Sequence, residues 1–218
     1  MNSQIENLAK DVSKLSANND LVLILLGVTL GAFLLFSAII LIVFKNNFKD
    51  FFNKKNRRKK YESLGKSSQI RLINQLRESV TYFSENKIGA LITIENSEKL
   101  DNLRTDGIIL NANISSALLI SIFNKNSPLH DGAVIIRDNK VYYASTFYKI
   151  TSKSLSSEFG SRHRAAMGIS EQSDATTIVV SEETGSIKIF KNSTVYTIKL
   201  EFFQESLIKY ISEESNAK

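Results

Sequence analysis

Val134-Ile135-Ile136-Arg137-Asp138-Asn139-Lys140-Val141-Tyr142-Tyr143-Ala144-Ser145-Thr146 reads as two β-rich runs, 134–137 and 141–146, facing each other across Asp138-Asn139. Asp and Asn tolerate the left-handed backbone of a two-residue turn, so the stretch predicts an antiparallel hairpin. Outward from it, strands and helices interleave. On the N-terminal side, 115–123 reads as a helix, 107–110 and 90–95 as strands. Residues 68–86 form an amphipathic helix, with Ile70, Ile73, Leu76, Val80 and Phe83 at three- and four-residue spacing. On the C-terminal side, strands are expected over 176–181, 186–190 and 194–200, and a closing helix over 201–212. This interleaving predicts an α/β class with a mixed β-sheet flanked by helices.

Farther out, Leu21–Phe44 is 24 residues without a charge, Asn, Gln or Pro. At helical rise it spans roughly 36 Å, enough for a bilayer core, so one N-terminal transmembrane α-helix is expected. Eight Lys or Arg against Asp50 follow within residues 45–60, while the side before the span is nearly neutral. The positive-inside rule then predicts a single-pass protein of the cell membrane, with a short extracytoplasmic N-terminus (1–20). A basic juxtamembrane linker (45–67), able to touch anionic membrane lipid, and a cytoplasmic domain (68–218) follow. The chain's net charge of +6 resides in that basic block, and residues 61–218 balance to zero. A neutral domain lacks the footprint of a general nucleic-acid binder, so no nucleic-acid partner is expected. The absence of cysteine excludes disulfides, thiolate metal sites and a cysteine nucleophile.

Both histidines and the only proline fall in two short segments, Ser127-Pro128-Leu129-His130-Asp131-Gly132-Ala133 and Gly160-Ser161-Arg162-His163-Arg164. The second opens a helix. Gly160 lets the backbone turn, Ser161 is a good N-cap, and free helix-start amides with Arg162, His163 and Arg164 make a donor set for phosphate. A capped surface helix with paired arginines would look the same. In the first segment Asp131 could hold a divalent cation or accept a hydroxyl proton. An ordinary Asp-Gly turn entering a strand is the plainer reading. There is no GxGxxG, and the P-loop-like Gly65-Lys66-Ser67 has Lys60 where a glycine is required.

These segments, with Gly89-Ala90-Leu91-Ile92, Gly168-Ile169-Ser170-Glu171, Asp174-Ala175 and Val180-Ser181-Glu182-Glu183-Thr184-Gly185, resemble the diadenylate cyclase domain family. That domain is the catalytic unit shared by DNA-scanning and membrane-bound cyclic di-AMP synthases. The resemblance covers about 100 residues, 89–185, and includes the family's DGA motif at 131–133 and RHR motif at 162–164. It implies an enzyme that condenses two ATP into cyclic di-AMP and two pyrophosphates, with Mn²⁺ or Mg²⁺ as cofactor and a face-to-face homodimer. By the same resemblance, Asp131 sits by the ribose 3′-hydroxyl and the metal, with His130 and Glu183 as further metal neighbours. Gly132 and Ala133 let the backbone approach the nucleotide. Arg162, His163 and Arg164 position phosphates, beside Gly160 and a Ser161 that stands where the family usually has threonine.

Two departures matter. Membrane-bound members commonly carry three spans, and one is found here, which resembles a single-span subgroup. Where the family often has Leu-Pro-Leu-Ser, this chain has Tyr148-Lys149-Ile150-Thr151, preceded by Phe147. Phe147 or Tyr148 could lie against adenine, or both could be core. A membrane-tethered adenine-nucleotide sensor without catalysis is the alternative function.

Overall fold

The expected hairpin turn has positive φ at both central residues, 50° at Asp138 and 61° at Asn139. That is the type I′ geometry, whose twist matches its flanking strands. It joins β4 (Ala133–Arg137) to β5 (Lys140–Tyr148). The computed structural model describes residues 19–40, 60–156 and 158–212. Helix α1 (Asn19–Ile40) lies in one compact unit, residues 1–57, and everything else described lies in a second, 58–218. By length and composition α1 can cross a membrane. Residues 41–44 of the expected span and the basic stretch 45–59 lie outside the described residues.

The second unit begins with α2 (Lys60–Ser63), inside the segment read as linker, and there Tyr61 is buried in the core. The helix α3 (Lys66–Glu85) follows, burying Leu72, Leu76, Val80 and Phe83. Ile70, expected on that stripe, is exposed, because it lies about 120° around the helix from Leu76. Next come β1 (Ala90–Ile94), β2 (Arg104–Thr105), β3 (Ile108–Asn113) and α4 (Ser116–Phe123). The Ser115 hydroxyl caps α4 by accepting from the Leu118 amide at 3.2 Å. After the hairpin come α5 (Ser161–Gln172), β6 (Thr176–Val180), β7 (Ile187–Lys191), β8 (Thr194–Ile198), a 3-10 turn and α6 (Phe203–Ser212).

The strands form one eight-stranded sheet in the order β2-β5-β4-β1-β6-β7-β8, with β3 also paired to β5. Only β1 and β4 run parallel; the other pairs are antiparallel. One face of the sheet packs Ile92, Val134, Ile136, Ile178 and Ile189 against α3, α4 and α6. The other packs Leu91, Ile135, Val179 and Phe190 against Ala166, Met167 and Ile169 of α5. Burying each such aliphatic side chain contributes about 1.5–3 kcal/mol, so the sheet is held from both sides. The mixed, helix-flanked α/β sheet read from the sequence is what forms.

At the far ends of β1 and β4 sits a charged cluster in which Glu95 and Arg137 are buried and Asp101 is exposed. Arg137 donates to both Glu95 oxygens, at 2.5 and 2.7 Å, and to both Asp101 oxygens at 2.9 Å. The Tyr143 hydroxyl donates to Asp101 at 2.8 Å. Hydrogen bonding to Glu95 raises the Arg137 pKa further. Burial opposes the Asp101 charge, yet the Arg137 and Tyr143 hydrogen bonds prevail and hold its carboxyl below the usual range. Breaking one partner of such a buried pair costs about 3–5 kcal/mol.

Candidate active site

Because β1 and β4 are parallel neighbours, the residues that precede them, Gly89 and Gly132, open at the same edge of the sheet. There a cleft of 510 Å³ collects Lys125, His130, Asp131, Gly132, the end of β5 (Thr146–Tyr148), Ile150, Ser161 and Arg162 of α5, and Glu182 beyond β6. Asp131 and Arg162, far apart in sequence, thus line one cavity. Asp131 is available to a ligand, with its side chain 70% exposed.

Gly132 has φ +84°, and a Cβ there would lie 2.5 Å from the Thr146 carbonyl oxygen. Only glycine fits, and the close approach it permits is to β5 of its own sheet. Ala133 is fully buried in the core behind the cleft. His130 Nδ1 donates to the Ser127 carbonyl at 2.7 Å, which turns Nε2 toward Asp131, 3.5 Å from its Oδ1. A nitrogen and a carboxylate so placed suit a divalent cation that takes its remaining ligands from phosphate and water. Among the described residues no three His, Asp or Glu side chains converge. Glu183 does not line the cleft; its neighbour Glu182 does.

The three residues of the RHR motif part company. Arg162 lines the cleft, its terminal nitrogen 2.9 Å from Glu182 Oε2. Its Nε–H is buried without a partner among the described residues. His163 is 6% exposed and stacks on Phe159 with ring centroids 5.1 Å apart, near Phe190. Burial, then the Lys188 charge, pushes its pKa down to about 4. Arg164 points back, its Nε donating to the Phe159 carbonyl at 3.2 Å. Of the three residues expected to position phosphates and shape the site, Arg162 alone lines the cleft, because successive helical residues point about 100° apart. Ser161 is also not the cap. Gly160 is, in extended backbone without a side-chain bond, and Ser161 is the first helical residue, at the cleft.

Of the two aromatics left open, Phe147 is 46% exposed, while Tyr148 is 8% exposed and forms part of the second core. Both line the cleft with Leu91, Ile150 and Ala165, giving it one apolar flank. The Tyr148 hydroxyl is buried near Thr93, and burial pushes its pKa up. Sequence reasoning missed Glu182 and Lys125.

The fold and the site together define an α/β domain whose cleft sets a carboxylate, a guanidinium and an apolar flank side by side. A sequence model of the DAC family, described as "DisA bacterial checkpoint controller nucleotide-binding", matches residues 77–195. The chain belongs to that family. It is 44% identical over 156 residues to the diadenylate cyclase of Listeria monocytogenes, covering 71% of this chain and 56% of that protein. Against the cyclic di-AMP synthase CdaA of Bacillus subtilis it is 41% identical over 148 residues, 67% of this chain and 53% of that one. The crystal structure of a double mutant of DacA from Staphylococcus aureus superposes with a TM-score of 0.64 at 39% identity, covering 67% of this chain and 99% of that one. The chain spans about half the length of the first two relatives.

Proposed function

We propose that this protein is a diadenylate cyclase, condensing two ATP into cyclic di-AMP and two pyrophosphates. The observation that carries the reading is the single cleft shared by Asp131 and Arg162. Adenine fits the apolar flank made by Phe147, Tyr148 and Ile150. The Arg162 guanidinium and the Ser161 hydroxyl hold phosphate oxygens and offset the charge that builds on them. The Asp131 carboxylate accepts the proton as the 3′-oxygen of one ATP attacks the α-phosphorus of the other. That new P–O bond forms as the bond to pyrophosphate breaks, and the leaving group takes the electron pair. His130 and Asp131 would hold a divalent ion, Mg²⁺ or Mn²⁺, which supplies Lewis-acid stabilisation of phosphate charge.

The product is two-fold symmetric, so two nucleotide-loaded copies face each other about a two-fold axis. Helix α1 anchors the chain in the cell membrane as its single span, with the N-terminus outside and the catalytic domain in the cytoplasm.

The test is direct. The full chain in detergent, given ATP and Mn²⁺, yields cyclic di-AMP and pyrophosphate separable by chromatography. Asp131→Asn abolishes the product while ATP binding by calorimetry stays within about threefold. Near-normal turnover in that variant removes Asp131 from the mechanism. Nucleotide binding without product in the unaltered chain identifies a sensor.

A further inference from the structure

Two cationic side chains line the cleft, Arg162 and Lys125. Arg162 is already engaged by Glu182 at 2.9 Å. Lys125 is exposed, and no carboxylate of the described residues pairs with it. It is therefore the cleft's cation without an ion-pair partner among the described residues, and it belongs to neither motif that carries the family resemblance.

Its mounting is firm while its tip is free. Lys125 stands in the turn between α4 and Asp131. The Asn126 amide donates to Asn124 Oδ1 at 2.9 Å and the Ser127 amide to the Asn124 carbonyl at 2.8 Å. The Leu129 amide donates to the Ser127 hydroxyl at 3.2 Å, and the His130 amide to the Ser127 carbonyl at 3.3 Å. Phe123, at the root of this turn, is buried and also lines the cleft. A braced backbone thus presents an ammonium on a flexible stem along the rim that carries His130 and Asp131. A lysine of this kind acts as a mobile point charge, suited to a group that must be gripped and then released.

A triphosphate brings several negative charges into a cleft whose lining charges otherwise cancel: Asp131 and Glu182 against Arg162 and Lys125. We propose that Lys125 is a substrate-binding residue that takes the β- and γ-phosphates of the bound nucleotide and holds pyrophosphate as it departs. The assignment rests on the reading of the cleft as an ATP site. As the bond from the α-phosphorus to the bridging oxygen breaks, the electron pair settles on pyrophosphate, and the ammonium stabilises that charge.

The experiment uses the full chain in detergent with 3′-deoxy-ATP and 3′-deoxy-AMP, which lack the attacking hydroxyl and bind without turnover. Calorimetry on Lys125→Ala shows 3′-deoxy-ATP weakened about tenfold to a hundredfold, as for loss of a charge-assisted contact. Affinity for 3′-deoxy-AMP is unchanged, and Lys125→Arg recovers most of the loss. Equal weakening of both analogues marks a structural role and overturns the assignment. So does unchanged triphosphate affinity with slowed cyclisation, which would set Lys125 against the partner copy's nucleotide. An unaltered chain that binds both analogues but makes no cyclic di-AMP refutes the cyclase reading alone, while the ratio of affinities still judges Lys125. An unaltered chain that binds neither refutes both.

Discussion

Gly89 leaves a space that a guanidinium fills. A Cβ at this position would lie 2.6 Å from the Arg162 terminal nitrogen and 2.9 Å from Glu182 Oε2. Gly89→Ala should therefore push Arg162 off the pose in which it is proposed to hold phosphate, lowering kcat/KM for ATP about tenfold to a hundredfold. Thermal unfolding should hardly move, because the displaced groups are at the cleft rim and partly solvated. Steady-state kinetics beside a melting curve checks this, and unchanged kinetics would show that Arg162 tolerates displacement. At this scale the sequence was informative about residue type and silent about direction. Asp131 and Arg162 were legible because an acid beside glycine and a basic cluster at a helix start have few common uses. Glu182 was not. Which of two adjacent acids faces the cleft is set by the turn after β6, where the Gly185 amide donates to the Ser181 carbonyl at 2.9 Å with φ +71°. A string of letters does not display that turn.

For a single element, helix α5 shows what a contiguous motif conceals. Arg-His-Arg suggests one basic surface, but helical rotation sends Arg162 to the cleft, His163 to the core and Arg164 back to its own cap loop. His163 thereby becomes a positioning residue whose packing against Phe159 fixes the helix start that carries Ser161 and Arg162. Its pKa of about 4 has a consequence for stability. In the unfolded chain the imidazole titrates near 6.5, so on acidification the unfolded state takes up its proton first. The contribution of neutral His163 is complete above about pH 6.5 and declines as pH falls toward 4, by up to roughly 3 kcal/mol. His163→Phe, which keeps an aromatic ring in the stack, should lose less stability than the unaltered protein between pH 7.5 and pH 5. Urea unfolding at the two pH values measures it, and parallel losses would show that His163 does not titrate on unfolding. Other elements were easier to foresee. The hairpin and the amphipathic α3 each announce themselves through local chemistry. The two-residue β2 does not, since Arg104-Thr105 carries no alternation to read, and its pairing with Tyr148 and Phe147 is a long-range event.

Across the whole molecule, the proposed chemistry needs two copies while each copy holds one cleft. Specific activity should then rise with protein concentration until the dimer saturates. Residues 58–218, which form their own compact unit, should remain active without α1 once concentrated. Kinetics over a hundredfold dilution series tests this; activity per molecule that is independent of concentration would exclude a dissociating pair. The sheet order could not be foreseen, because the adjacency of β1 and β4 is decided by packing on both faces of the sheet. One further feature ties the domain's parts into a single moving body. The segment 149–151 lies directly across α5 at Gly168, where a Cβ would meet the Lys149 carbonyl oxygen at 2.1 Å. The Thr151 amide donates to the Arg164 carbonyl at 3.2 Å, and its hydroxyl to Glu171 at 2.9 Å. The segment bearing Ile150 is thus riveted to the helix bearing Arg162. On the proposed reading, a tilt of the helix that tightened the grip on phosphate would carry the hydrophobic wall with it, so base and phosphate would be clasped in one stroke and let go together.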